Sequence, residues 1–391
     1  MPKPTAKVTR TIRSEQVLSA FMQVVRKNLP LDLKNTRITA EDIIYALGYA
    51  NVHQLSIESS CQELKDAPSG NRLREVLVAS LPDRAGMQRA LNRMFRQQLH
   101  PSLWKCKRNF NIAIDLTLIP YHGQPYEDKK EIVRGAPKSG TTHFHGYATV
   151  SIVRDNRRYV VALRFIEYGE EMADIVRWLL KRLKTIKIRI RRAFLDKGFS
   201  SKPVFKVLRQ YKLSYIIPIP VRGKSGGVRR LFQGKSRKTT YTFNSPKHGT
   251  YTVQAVVVKR YSKGRYGRHQ SKWFAYAVSG LPASIQSAQV FELYRQRFGI
   301  ESSYRQMNQV RARTSTRNPV VRLLLVGLAF VLFNLYIALR LNLSSALKKP
   351  IKSPERFWIS LRRLALMLGR AIERLWGVTE ILQLHPCFAL S

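Results

Sequence analysis

Apolar positions along the chain recur with two periods, and the switch between them divides it. Over residues 13–29, 40–49, 71–82 and 84–99 they return every three to four residues, which predicts amphipathic helices. Thr39 is placed to cap the second of these, with Asp42 at its third position and Gly48 near its end. From Phe110 the character changes. Residues 111–120, 143–153 and 157–169 are rich in β-branched and aromatic residues and predict strands. A helix over 170–183 follows, acidic at its start and basic at its end. A strand ending near Asp196, a short helix opened by Ser201 and a strand over 213–220 complete the run. Two antiparallel partners followed by helical crossovers predict a mixed α/β sheet with helices on its faces.

Residues 221–281 interrupt this order with a Gly/Lys/Arg loop and then more strands, and they predict an inserted β subdomain. A long helix is expected from Ser284 or Ser287 onward, and a basic amphipathic helix capped by Ser353 closes the chain. The apolar run Leu323–Leu339 is 17 residues long, the bottom of the spanning range, and Asn334 interrupts it. Since it closely follows the preceding helix, a buried core helix is the favoured reading over a membrane span. The expected organisation is a helical DNA-binding domain at 1–108, of helix-turn-helix type, a catalytic domain at 109–345 and a helical tail at 346–391.

Charge changes the picture more than composition does. Against 24 acids stand 69 Lys and Arg, a formal charge of +45, in a 391-residue chain that is 44% hydrophobic. Such an excess repels itself unless a polyanion is the normal partner, so nucleic acid is the expected one, ahead of a membrane surface or ribosomal-type RNA binding. Cys61, Cys106 and Cys387 are odd in number and widely spaced, which fits a reducing cytoplasm and argues against structural zinc. The N-terminal stretch is polar, without a signal-peptide apolar core. His143 and His145 fall on one strand face near His122, but with no third soft ligand evident they are read as polar surface.

Three carboxylates stand out in so basic a chain. Asp115 and Asp196 interrupt apolar strand runs, where an acid is costly to bury unless something binds it. Glu301 lies on the long predicted helix with Tyr294, Arg297 and Asn308 at offsets of −7, −4 and +7. At ~100° per residue those positions share one helix face. Acid oxygens without His or Cys select Mg²⁺ or Mn²⁺.

One Asp in the first strand, one ending the fourth and a Glu past an insertion resemble the RNase H-like fold of DDE transposases. Tyr294-x2-Arg297-x3-Glu301 resembles the Y-x2-R-x3-E-x6-K signature of the family-four group of bacterial and archaeal insertion-sequence transposases. Asp196-Lys197-Gly198-Phe199 resembles that group's D-x-G-[FY] element, and the β-rich insertion is also similar. The signature's Lys position holds Asn308, and the nearby bases Arg305 and Arg311 lie off the matching offset. The resemblance implies Asp115, Asp196 and Glu301 as catalytic metal ligands for two Mg²⁺ or Mn²⁺ ions. It further implies strand cleavage at element ends, transfer of the 3′-OH into target DNA, and a homodimer in the active complex. Tyr294, Arg297, Asn308 and Arg305 are then candidate DNA contacts. Trp273 is a candidate base-stacking residue, though packing within the insertion explains it as well. Lys224, Arg229 and Arg230, followed by Lys235, Arg237 and Lys238, form a candidate phosphate-binding stretch. A nuclease of the same fold and a non-catalytic DNA-binding descendant are the rival readings.

Overall fold

A computed structural model describes residues 11–34, 36–101, 109–154, 157–263, 269–297, 299–346 and 359–381. Its helices are α1 Ser14–Asn28, α2 Ala40–His53, α3 Ile57–Glu63, α4 Gly70–Ser80, α5 Arg84–Gln97, α6 Met172–Thr185, α7 Lys202–Gln210, α8 Ser287–Arg295, α9 Gly299–Asn308, α10 Pro319–Ala346 and α11 Leu361–Trp376. Its strands are β1 Phe110–Pro120, β2 Val133–Lys138, β3 Thr141–Arg154, β4 Arg157–Ile166, β5 Ile190–Leu195, β6 Ser214–Pro218, β7 Arg237–Ser245, β8 Gly249–Lys263 and β9 His269–Ser279. These form two compact units, one of residues 1–98 with 306–391 and one of 99–305.

The first unit is helical. Thr39 caps α2 as expected: its hydroxyl accepts from the Asp42 amide, and the Asp42 carboxylate accepts from the Thr39 amide in return. Gly48 does not end that helix, which runs on to His53. Its missing side chain instead admits Phe21 and Ile372, which a Cβ there would meet at 3.2 and 3.4 Å. Helix α10 packs against α1, α2, α5 and α11. At Gly327 a Cβ would collide with the Leu91 side chain, so α5 and α10 approach closely. One described helix, α10, is long and apolar enough to cross a membrane, yet 94% of its most apolar window is buried inside the protein. The buried-core reading therefore stands. Helix α10 belongs to the helical unit, whereas the expected boundary ran at 345, after it. A helix apolar on every side gathers partners all round, and here the other helices supply them. The described tail helix begins at Leu361 and is capped by Ser360, whose hydroxyl accepts from the Arg363 amide at 3.1 Å. Ser353 and Cys106 and Cys387 lie outside the described residues.

The second unit is the mixed α/β part. Its nine-stranded mixed sheet runs β2-β3-β1-β5-β6-β9-β8-β7, with β4 also on β3. β1, β5 and β6 are mutually parallel neighbours, and every other pairing is antiparallel. The inserted strands continue this sheet through β6 and β9 (Tyr215 opposite Ser279, Pro218 opposite Tyr276). Strand β2 was not expected. Its residues, VRGAPK, include Gly and Pro and stay mostly exposed, so nothing in their pattern marks a strand. β5 is shorter than the expected stretch because residues 186–188 close the end of α6, where Lys187 takes φ 60° and the Ile188 amide donates to the Leu183 carbonyl. Ala113, Val153, Phe194, Ile216, Val256 and Tyr276 form a core cluster that α8 covers with Val290 and Tyr294.

Candidate active site

Strand pairing brings the two aspartates together. Ile114 is in register with Leu195 across the parallel β1–β5 pair, so Asp115 and Asp196 follow as the next residues of adjacent strands. Asp115 sits within β1, is 7% exposed and accepts from the Leu116 amide at 2.9 Å. Asp196 follows the end of β5, at the cap of a 3₁₀ turn over 197–199, and its side chain is 40% exposed. The difference in solvent access follows from position: one acid interrupts a central strand, the other ends one.

Arg297 joins them. Its guanidinium lies 3.0 Å from the Asp115 carboxylate and 3.4 Å from that of Asp196, and the side chain is itself buried. Arg297 also donates to the Tyr294 hydroxyl at 3.1 Å, and that hydroxyl donates to the Leu195 carbonyl at 3.1 Å. Burial pushes the Asp115 carboxyl up to about 6, against the opposing pull of Arg297 and the Leu116 amide, and the Asp196 charge adds to the rise. Asp115 and Tyr294 together hold the Arg297 pKa above its ordinary value despite burial. Arg158, buried on β4, is pushed down to about 10 by burial and by the Arg297 charge.

The expected single helix through Tyr294, Arg297, Glu301 and Asn308 is corrected by the structure. Helix α8 stops at Arg295, Gln296 and Arg297 form a turn, and α9 starts at Gly299. Tyr294 is therefore on one helix, Arg297 on the connection, and Glu301, Arg305 and Asn308 on the next. The physical reason is local and tertiary at once. The amides of Gln296 and Arg297 donate to the carbonyls of Leu293 and Tyr294, three residues back, which tightens and ends the helix. Gly299 adds a residue that costs about 1 kcal/mol inside a helix. The buried ion pairs of Arg297 hold the resulting turn in place. The Glu301 backbone lies in α9, while its side chain lies outside the described residues. Arg305 and Asn308 are exposed, and Asn308 accepts from Arg311 at 3.2 Å.

Two functional candidates escaped the sequence reading. The hydroxyls of Thr149 and Tyr304 share a 2.7 Å hydrogen bond, and Thr149 is the cross-strand partner of Asp115. Burial, with the Asp115 charge adding to it, holds the Tyr304 hydroxyl well above its ordinary pKa, so it stays protonated. The available signals were faint: a hydroxyl within an apolar strand run, and a Tyr three residues after Glu301.

Other expected residues stand apart. Trp273 stacks on Phe232 (ring centroids 5.9 Å apart, 10° between planes), and the Lys259 ammonium lies 5.3 Å from the rings of both Trp273 and Tyr261. Lys224, Arg229 and Arg230 are exposed, but part of that charge run serves the loop itself. Arg229 donates to the Gly223 carbonyl, Arg237 to those of Leu231 and Gln233, and Lys238 to that of Ala283. His145 is a correction: it is 1% exposed, packed against Tyr121 and Phe165, because β3 is buried on both faces from Phe144 to Val153. His122 and His143 instead line a cleft with Arg134 and Lys129.

The donor set at the two aspartates fits a hard divalent cation, being oxygen alone and including a carboxylate whose ionisation burial opposes. Arg297 supplies one unit of positive charge between the two acids. Residues 111–335, more than half of the chain, match the family described as Transposase DDE domain. The chain belongs to the transposase DDE domain family. Among curated proteins none matches it. Among solved structures, the piggyBac transposase synaptic complex with hairpin DNA is similar, with a TM-score of 0.56 and 15% identity over 95% of this chain and 83% of that one. At that identity the likeness shows the fold, and for this transposase-family chain the fold is the RNase H-like one expected.

Proposed function

We propose that this member of the transposase DDE domain family is a DNA transposase, of the kind resembling the family-four insertion-sequence group. It cleaves strands at the ends of its element and transfers the 3′-OH into target DNA. The observation that carries the reading is the meeting of Asp115 and Asp196 on adjacent parallel strands under one shared guanidinium. Asp115, Asp196 and Glu301 would hold Mg²⁺ or Mn²⁺. When bound, such ions activate a water or 3′-hydroxyl and stabilise the leaving oxygen of an in-line displacement at phosphorus.

The chain's own residues do the positioning. The Leu116 amide orients one Asp115 oxygen, and the Tyr294 hydroxyl holds Arg297 between the acids. Arg297, itself buried, pairs with both carboxylates and its charge opposes the rise that burial imposes on Asp115. The formal +45 charge supports duplex DNA as the partner. The helical region before residue 108 would bind the element ends, and exposed Arg305, Lys224 and Arg230 would add phosphate contacts. Two ends must be cut together, which favours a homodimer. The expected setting is the cytoplasm, on the nucleoid.

The test is cleavage of a duplex carrying the element's ends. Asp115→Asn, Asp196→Asn and Glu301→Gln should each lower the rate by at least about a thousandfold, the scale of losing a group essential to the transition state. Duplex binding, read by fluorescence anisotropy, should stay within about twofold. Joined products alongside hydrolysed ones separate a transposase from a nuclease of the same fold. Cleavage at the wild-type rate by the Asp115→Asn protein would remove the reading.

A further inference from the structure

Helix α9 carries Glu301, and the acids that the proposed site would join it to lie on strands far away in sequence. The described contact that ties this helix to those strands beside the acids is the 2.7 Å hydrogen bond between Tyr304 and Thr149. Tyr304 follows Glu301 by one helical turn, about 4.5 Å along the axis and ~60° around it. Thr149 stands opposite Asp115 across the β1–β3 pair, is 2% exposed, and shares with Asp115 the sheet face that α8 and its core cluster cover. Tyr304 packs against that same cluster, so its ring is held from below while its hydroxyl reaches the strand. A long aromatic side chain with two rotatable bonds, anchored at both ends, works as a spacer between helix and strand.

We propose that Tyr304 is a positioning residue of this site, acting through Thr149 to set the distance between the helix bearing Glu301 and the strand bearing Asp115. The proposal rests on the acid-site reading above. Tyr304 touches no reacting atom. It fixes how well a third carboxylate meets the first, and so how tightly the trio grips a divalent ion. Removing the hydroxyl while keeping the ring should therefore weaken ion binding before it weakens anything else.

The experiment uses the full chain with Mn²⁺ as the probe. Free Mn²⁺ is read by electron paramagnetic resonance without DNA, and cleavage is followed as a function of Mn²⁺ concentration. Tyr304→Phe and Thr149→Val should each lower Mn²⁺ affinity about three- to tenfold, the range expected for one hydrogen bond. The double variant should lose no more than either single one, because both remove the same bond. Half-saturation for cleavage should rise by the same factor, with the rate at saturating Mn²⁺ largely restored. Thr149→Ser keeps the hydroxyl and should bind Mn²⁺ as the wild type does. Wild-type affinity, within twofold, for both Tyr304→Phe and Thr149→Val would overturn the proposal. So would a loss in rate that saturating Mn²⁺ does not restore, since that marks a merely structural role. Unchanged Mn²⁺ binding by Asp115→Asn would bring down the acid-site reading itself, and this proposal with it.

Discussion

Asn51 in the helical unit and Asp115 in the sheet unit are both polar residues inside apolar runs, and both are buried, at 0% and 7% exposure. They are satisfied in opposite ways. The Asn51 amide donates to the Leu47 carbonyl one turn back, and its oxygen accepts from the Ala312 amide at 3.3 Å. Backbone groups complete it, and it does a joint's work. Asp115 has one backbone donor, and its other compensation is Arg297, a charged residue nearly two hundred positions away that serves Asp196 as well. A buried polar group answered by backbone is structure. One answered by a distant charge, at an edge where a second acid is 40% exposed, is a place where a charge can be exchanged.

Three experiments press on that contrast. The largest effect belongs to Arg297→Ala. Removing one partner of a buried ion pair typically costs about 3–5 kcal/mol, and urea unfolding at pH 7 should show a loss of that order. The loss should shrink near pH 4.5, where Asp115 takes up a proton. A loss unchanged by pH would mean that Arg297 supports the fold through packing alone.

The second effect is smaller and has a definite sign. The folded-state pKa of Asp115, about 6, lies above the unfolded carboxylate value, so the native state binds more protons between about pH 4 and pH 6. Stability from this group is therefore lost as pH rises through that window. Relative to wild type, the Asp115→Asn protein should gain on the order of 2–3 kcal/mol between pH 4 and pH 7, read from paired urea melts. A difference that stays flat with pH would show Asp115 to be as readily ionised as an exposed acid.

The smallest effect tests the structural side. Asn51→Ala leaves the buried Ala312 amide without its acceptor and should cost about 1–3 kcal/mol. Cleavage per folded molecule should not change. If Asn51→Ala instead abolished cleavage without loss of stability, the division between joint and site would be drawn in the wrong place.

Much of this was legible in the order of residues. The β-branched runs located β1, β3, β4 and β6, and the Thr39–Asp42 spacing located the start of α2, because these signals are local. Asp115 was conspicuous for being costly where it stood. The Thr149–Tyr304 bond was not legible, since a Thr in a strand and a Tyr in a helix carry no mark of each other. The break between α8 and α9 was hidden too: residues 287–308 read as one helix, and no local residue announces that Arg297 will be held by two distant acids.

By itself, then, the amino-acid order determined the strand and helix periods, the basic charge that calls for a polyanion, and three acids whose burial needs a reason. Tertiary structure alone decided that β1 and β5 would lie side by side in parallel, that Arg297 would leave the helix to bridge their aspartates, and that α10 would pack with the flanking helices. The reason is one of range. Period and charge are properties of neighbours in sequence, whereas an ion pair across 182 residues exists only once the sheet has brought its partners within 3.0 Å.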